Sequence, residues 1–220
     1  ALAGIMAVSM LTACGEGTSN SGSSSSENTN TNTGYSAMLG EAVSDAVKNM
    51  DYVTFKDNAE DAAALRKALN NVGEVSINTI AGWGNLSSSD SWLNADCVTM
   101  RQVFAKELGL NDDDLAINDM AFNSSVNGNL NMNRGMKEGV IFGIDGTVDL
   151  SEAMDQIADR LNPYFAALAE NDSTANSHVS FDYDYVISVS VVNKPVTTIS
   201  WSSASANFIA VTVTRTVTAD

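Results

Sequence analysis

One histidine, His178, and two cysteines, Cys14 and Cys97, serve a chain of 220 residues. With so little imidazole, much of hydrolase chemistry is out of reach, and no His-based zinc motif occurs. A Gly-x-Ser-x-Gly elbow, a Ser-x-x-Lys pair and a phosphate-binding glycine loop are also missing. Basic residues are scarce, 11 against 27 acids, for a net charge of −16. A surface of that sign repels phosphate backbones, which argues against nucleic acid as a partner, and it offers no polybasic face to a membrane. Cation binding suits it better, although acidity by itself mostly reports solubility. Long apolar runs are absent too: the opening stretch Ala1–Met10 is apolar but too short to span a bilayer as a helix.

What is present begins with Leu11-Thr12-Ala13-Cys14, which closes that apolar stretch. A branched apolar residue, two small residues and a cysteine resemble a bacterial lipobox. The resemblance implies that residues 1–13 are signal peptide, here without a charged leading region, and that Cys14 carries lipid. It implies a protein held at the outer face of a bacterial membrane, in the cell envelope. Residues 15–34 are Ser, Asn, Thr and Gly almost throughout. Such a segment cannot bury enough apolar surface to offset its ordering entropy, so it is expected to be a flexible tether. Roughly 20 residues of this kind reach about 25 Å. With Cys14 lipidated, Cys97 has no partner for an intramolecular disulfide, and the fold must rest on its core. Residues 35–220 are expected to form one domain, with 25 acids against 11 basic residues because only Glu16 and Glu27 precede it.

Within that domain, Leu39, Ala42, Val43, Ala46, Val47 and Met50 recur at helical spacing. Tyr52–Phe55 reads as a short strand. Asp57 or Asn58 can cap a second helix bearing Leu65, Leu69 and Val72, which Gly73 ends. Residues 74–80 alternate as a strand, and 81–96 form a loop. Thr99 and Gln102 make a capping box for a helix through Leu108 that Gly109 stops. Residues 115–122 and Val140–Ile144 are expected to pair as a hairpin with a long tip, or else to be joined by a short crossover. Asp149 and Glu152 open the clearest helical stripe, Met154, Ile157, Ala158, Leu161, Phe165 and Leu168, with Pro163 expected to kink or break it. From Val179 to Val191 every odd position is apolar or aromatic, and the even positions are mostly polar, reading as one buried and one wet face. Val196–Trp201 and Phe208–Val217 complete a three-stranded C-terminal meander. The expectation is α+β, with helices packed on one face of a mainly antiparallel sheet.

Candidate chemistry is thin. Residues 140–150, VIFGIDGTVDL, look like the first motif of the haloacid dehalogenase phosphatases, but Gly143 stands where that family has its nucleophilic Asp. The phosphatase reading fails, and a strand leading through a turn into a capped helix explains the same residues. Asp112-Asp113-Asp114 lacks the register of a calcium loop and reads as a solvated turn. Asp182 and Asp184 share a strand face with His178, which reads as a wet face more readily than as a metal site. Cys97 precedes a helix, where the dipole can lower a thiol pKa, yet a lone cysteine is ordinarily a small buried hydrophobe. Two loops stand out. Trp83 and Trp92 sit among Gly, Ser and Asn, and Asn127, Asn129 and Asn131 recur in the second loop. Tryptophan faces and amides suit a glycan, whereas core cover and turn chemistry explain them structurally.

The sequence therefore points to a lipid-anchored binding protein of the envelope or surface, acting on a glycan or a partner protein without catalysis. The alternatives are a carboxylate-dependent hydrolase of cell-wall or environmental polymers and a structural subunit of a surface complex. No metal or cofactor is expected, and the membrane is a partner through the lipid on Cys14.

Overall fold

A computed structural model describes residues 34–70, 72–73, 86–88, 95–110, 135–172, 181–196 and 204–219. They lie in one compact unit, Asn32–Asp220. In chain order the elements are α1 (Tyr35–Ala42), α2 (Asp45–Lys48), β1 (Val53–Phe55), α3 (Ala59–Leu69), β2 (Ser87–Ser88), α4 (Ala95–Leu108), β3 (Met136–Asp145), α5 (Leu150–Phe165), β4 (Asn171–Asp172), β5 (Phe181–Val196) and β6 (Ala204–Ala219).

The sheet runs β1-β5-β6-β3-β2, with β4 also on β5. Only β1 is parallel to its neighbour; the other pairings are antiparallel. The architecture is thus α+β around a mainly antiparallel sheet. Its spine is the hairpin of β5 and β6, two strands of 16 residues in register from Phe181↔Ala219 to Val196↔Ala204. Val196 closes β5 rather than opening a strand of its own, so the C-terminal region is a long hairpin extended by β3, not three sequential strands. Residues 197–203 lie outside the described residues, as do the expected strands at 74–80 and 115–122.

The helices cover both faces of this sheet, not one. Odd positions of β5 and β6 and even positions of β3 meet α1 and α5 in one core, which holds Tyr185, Ile187, Val189, Val211, Val213, Val140 and Phe142 with Leu39, Met154, Ile157 and Leu161. The opposite faces meet α3 and α4 in a second core, where Ile141, Phe208 and Ala210 pack on Leu65, Leu69, Met100 and Phe104. Ser188 and Ser190 give β5 its polar even face in the sequence, yet they are only 3% and 1% exposed. Small hydroxyl side chains opposite an alanine-rich helix let α3 sit close, so polarity in the pattern does not mean water in the fold. Among the described residues of that face, Asp182 and Asp184 at the start of β5 are exposed, and Val186, Val192 and Lys194 are half-buried.

Local signals explain most helix ends. The Asn58 side chain accepts from Glu60 and Asp61 N–H and starts α3. Asp149 accepts Ser151 N at 2.8 Å and starts α5. Those Ser151 hydrogen bonds, hydroxyl first, hold the Asp149 carboxyl below its ordinary pKa. Gly109, at φ 70°, ends α4 with Leu110 N donating to Ala105 O at 2.8 Å. Three expectations change. α4 starts at Ala95, and Thr99 lies inside it, its hydroxyl donating back to Ala95 O at 2.8 Å instead of capping. The first helix is divided, because Val43 and Ser44 turn extended and Ser44 N donates to Asn162 Oδ1 at 2.9 Å. Pro163 does not break α5, which runs on to Phe165. It falls in the last turn, with only Tyr164 and Phe165 after it, so the N–H it lacks costs the helix one hydrogen bond close to its end. Among the described residues, no helix is long and apolar enough to cross a membrane.

Candidate functional site

The start of β5 is where alternation exposes acids and buries aromatics side by side. Asp182 and Asp184 point to solvent on one face, and Tyr183 and Tyr185 enter the core on the other. Two short strands share the outer edge of β5 here. β1 lies along Tyr185–Ile187, and β4 lies along Phe181–Asp182. Just ahead of each, a carbonyl closes the ladder: Tyr185 N donates to Tyr52 O at 2.8 Å and Tyr183 N to Glu170 O at 2.9 Å. Between them opens a cleft of about 450 Å³ lined by Asp51, Tyr52, Glu170, Asp182, Tyr183, Asp184 and Thr218.

Its walls are pinned. The Tyr52 hydroxyl donates to Leu168 O at 3.1 Å and the Tyr185 hydroxyl to Ala169 O at 3.0 Å. Both bonds fix the segment that leads from α5 to β4 and carries Glu170. The tyrosines form a chain, with ring centroids 6.2 Å apart for Tyr52 and Tyr185 and 6.5 Å for Tyr183 and Tyr185. The guanidinium of Arg215 lies 4.5 Å from the centre of the Tyr183 ring.

The field in the cleft is negative. Burial, then Glu170 and Asp51, push the Tyr52 phenol above its ordinary pKa, so it stays a neutral donor. Burial pushes Tyr185 up to about 12 against the opposing pull of Arg215. Four carboxylates beside the half-buried Tyr52 ring favour a cationic group, by charge-assisted hydrogen bonds at its head and cation–π contact with that ring along its side. Among the described residues, no three metal-ligating side chains are close enough to hold a metal ion. The arrangement accordingly suits an ammonium or guanidinium better than a caged ion.

Asp182 and Asp184 are thus joined by Asp51 and Glu170, which the sequence reading did not single out. Neither has a motif around it; the one hint is Asp51, an acid beside Tyr52 just before a short strand. Cys14, Trp83, Trp92, Asn127, Asn129 and Asn131 lie outside the described residues, as do Asp112–Asp114 and His178. Cys97 is a buried thiol in the second core, beside Met100. The phosphatase-like stretch is a turn: Asp145 Oδ1 accepts both Thr147 N, at 2.8 Å, and the Thr147 hydroxyl, at 2.6 Å, and Asp149 then caps α5. The chain matches no protein-family model, no curated protein and no solved structure.

Proposed function

We infer that the protein is a lipid-anchored, extracytoplasmic binding protein whose domain takes the cationic group of an envelope or extracellular ligand. The observation that carries the binding role is the cleft at the start of β5, where Asp51, Glu170, Asp182 and Asp184 surround walls of Tyr52 and Tyr183. Its Tyr52 wall is held by the bond to Leu168 O, and the neighbouring Tyr185 holds Ala169 O next to Glu170, before any ligand arrives; a preformed site loses less entropy on binding. The anchor is supported by the order of features: a lipobox-like cysteine, a spacer of small polar residues, then a fold whose first described residue is Gly34. A binding domain held at a surface by lipid meets ligands from one side, and a partly open acidic cleft fits capture and release better than enclosure.

The test uses fluorescence anisotropy of a labelled penta-lysine peptide with the full-length protein. Asp182→Asn with Asp184→Asn should weaken binding about tenfold or more, whereas Glu152→Gln with Asp159→Asn, an equal charge change on exposed α5, should alter it less than about twofold. Equal losses in both pairs would reduce the effect to net charge, and tight binding of neutral oligosaccharides instead would move the ligand surface to the tryptophan and asparagine loops. Fatty-acid labelling in cells, lost in Cys14→Ala, checks the anchor.

A further inference from the structure

We propose that the first turn of α1 is a mechanical clamp that passes tension on the membrane tether into the sheet. The source of the load rests on the anchored reading above; the clamp itself does not. Any pull along the backbone from the N-terminal side reaches the described fold at Gly34, whatever precedes it. Gly34 sits at the N-cap of α1 with φ 102°, in the left-handed region, and has no side chain with which to cap the helix. The cap comes instead from beyond β1. Asp57 Oδ2 accepts Gly34 N at 2.6 Å, and Asp57 Oδ1 accepts Ser36 N at 3.0 Å. Ser36 is 1% exposed, and its hydroxyl accepts Val189 N of β5 at 2.9 Å. Next to Asp57, Lys56 N donates to Ile187 O at 2.9 Å.

Two routes therefore lead from the first turn to β5. One runs through Ser36 to Val189. The other runs through the Asp57 carboxylate and Lys56 to Ile187. They reach β5 at adjacent outward positions, where β1 ends and the edge needs another partner. A helix pulled from its end normally unravels one hydrogen bond at a time. Here three side-chain bonds, two of them to the Asp57 carboxylate, must also be broken before the first turn can peel. Only then does load reach Leu39, which is fully buried against α5.

Constant-force unfolding of the full chain, held by tags at its two ends, tests the clamp. The quantity read is the rate of the first extension step under load divided by the unfolding rate without load, which cancels any general loss of stability. Asp57→Asn and Ser36→Ala should each raise this ratio about tenfold. Asp149→Asn, which removes a helix-capping carboxylate away from the load path, should leave it unchanged. Ratios no higher in the two clamp variants than in Asp149→Asn would overturn the clamp. Raised ratios in a protein that takes up no fatty-acid label would overturn only the membrane as the source of the load.

Discussion

Gly146 has no room for a methyl group. A Cβ there would come 1.9 Å from the Ser205 hydroxyl and 2.8 Å from the Ser205 carbonyl carbon. The hydroxyl can rotate away, but the carbonyl carbon belongs to the backbone of β6. That backbone is held close because Gly146 N donates to Ser205 O at 2.8 Å. Gly146→Ala must therefore push the turn off the sheet, at a cost of about 1–3 kcal/mol. The expected outcome is a lower urea midpoint with an unchanged slope; a midpoint equal to that of the parent chain would show that the turn yields freely. The same contact explains why Asp145-Gly146-Thr147 imitates a phosphatase motif. Glycine is needed for close approach, Asp145 for the turn and Asp149 for the helix cap, so each residue has a local structural task.

The elements differ in how they are fastened. α5 is held mainly by its apolar stripe, with Asn162 and Gln156 accepting from Ser44 N and Leu86 N, whereas α3 is bolted at both ends by polar groups from the sheet. At its start, Asp61, 1% exposed, binds the Lys137 ammonium of β3 and the Thr212 hydroxyl of β6. At its end, the Lys194 ammonium of β5 donates to Leu69 O at 2.5 Å and Val72 O at 3.2 Å, and burial lowers its pKa. Asp61→Ala leaves an ammonium that is 19% exposed beside an empty site, with an expected loss of about 3–5 kcal/mol by urea unfolding. Adding Lys137→Met should recover most of it, because the cost lies in the uncompensated charge; a double variant as weak as the single one would place the loss in packing instead. This fastening also marks where the sequence was legible. The α5 stripe, its Asp149 cap, the Asn58 cap and the odd face of β5 were all readable, since apolar periodicity and capping chemistry are local. The second helical layer was not, because Ser188, Ser190, Thr212 and Asp61 look like solvent-facing residues until α3 is laid over them. One signal pointed to it: Val140-Ile141-Phe142 and Phe208-Ile209-Ala210-Val211 are unbroken apolar runs, as strands covered on both faces require. The cleft was half legible. Asp182 and Asp184 followed from alternation, but Asp51 and Glu170 arrive through strand pairings that no spacing reveals.

For the whole molecule, charge and burial act in the same direction as pH rises. Tyr185 is 1% exposed, and its hydroxyl ties β5 to Ala169 O. Its pKa of about 12 in the fold compares with an ordinary 10.0. Between those values the unfolded chain has lost the phenolic proton and the folded chain has kept it. The unfolded state thus binds fewer protons, and stability must fall as pH climbs. The stabilising contribution is whole below pH 10 and gone above about 12. Tyr52 is raised too and adds to the same slope. Lys194 is lowered, so its unfolded form holds the extra proton and its effect opposes theirs. Tyr185 carries the largest of these shifts and should set the sign. Each phenolate formed on unfolding also joins a chain whose net charge is already −16 at pH 7, and repulsion within the expanded chain is weaker than in the compact one. Urea midpoints measured across this window should therefore decline steadily. In Tyr185→Phe the decline should be shallower while the midpoint at neutral pH drops, because the hydrogen bond to Ala169 O is lost. An unchanged alkaline slope in that variant would assign the loss to the repulsion of surface charges rather than to the buried phenol.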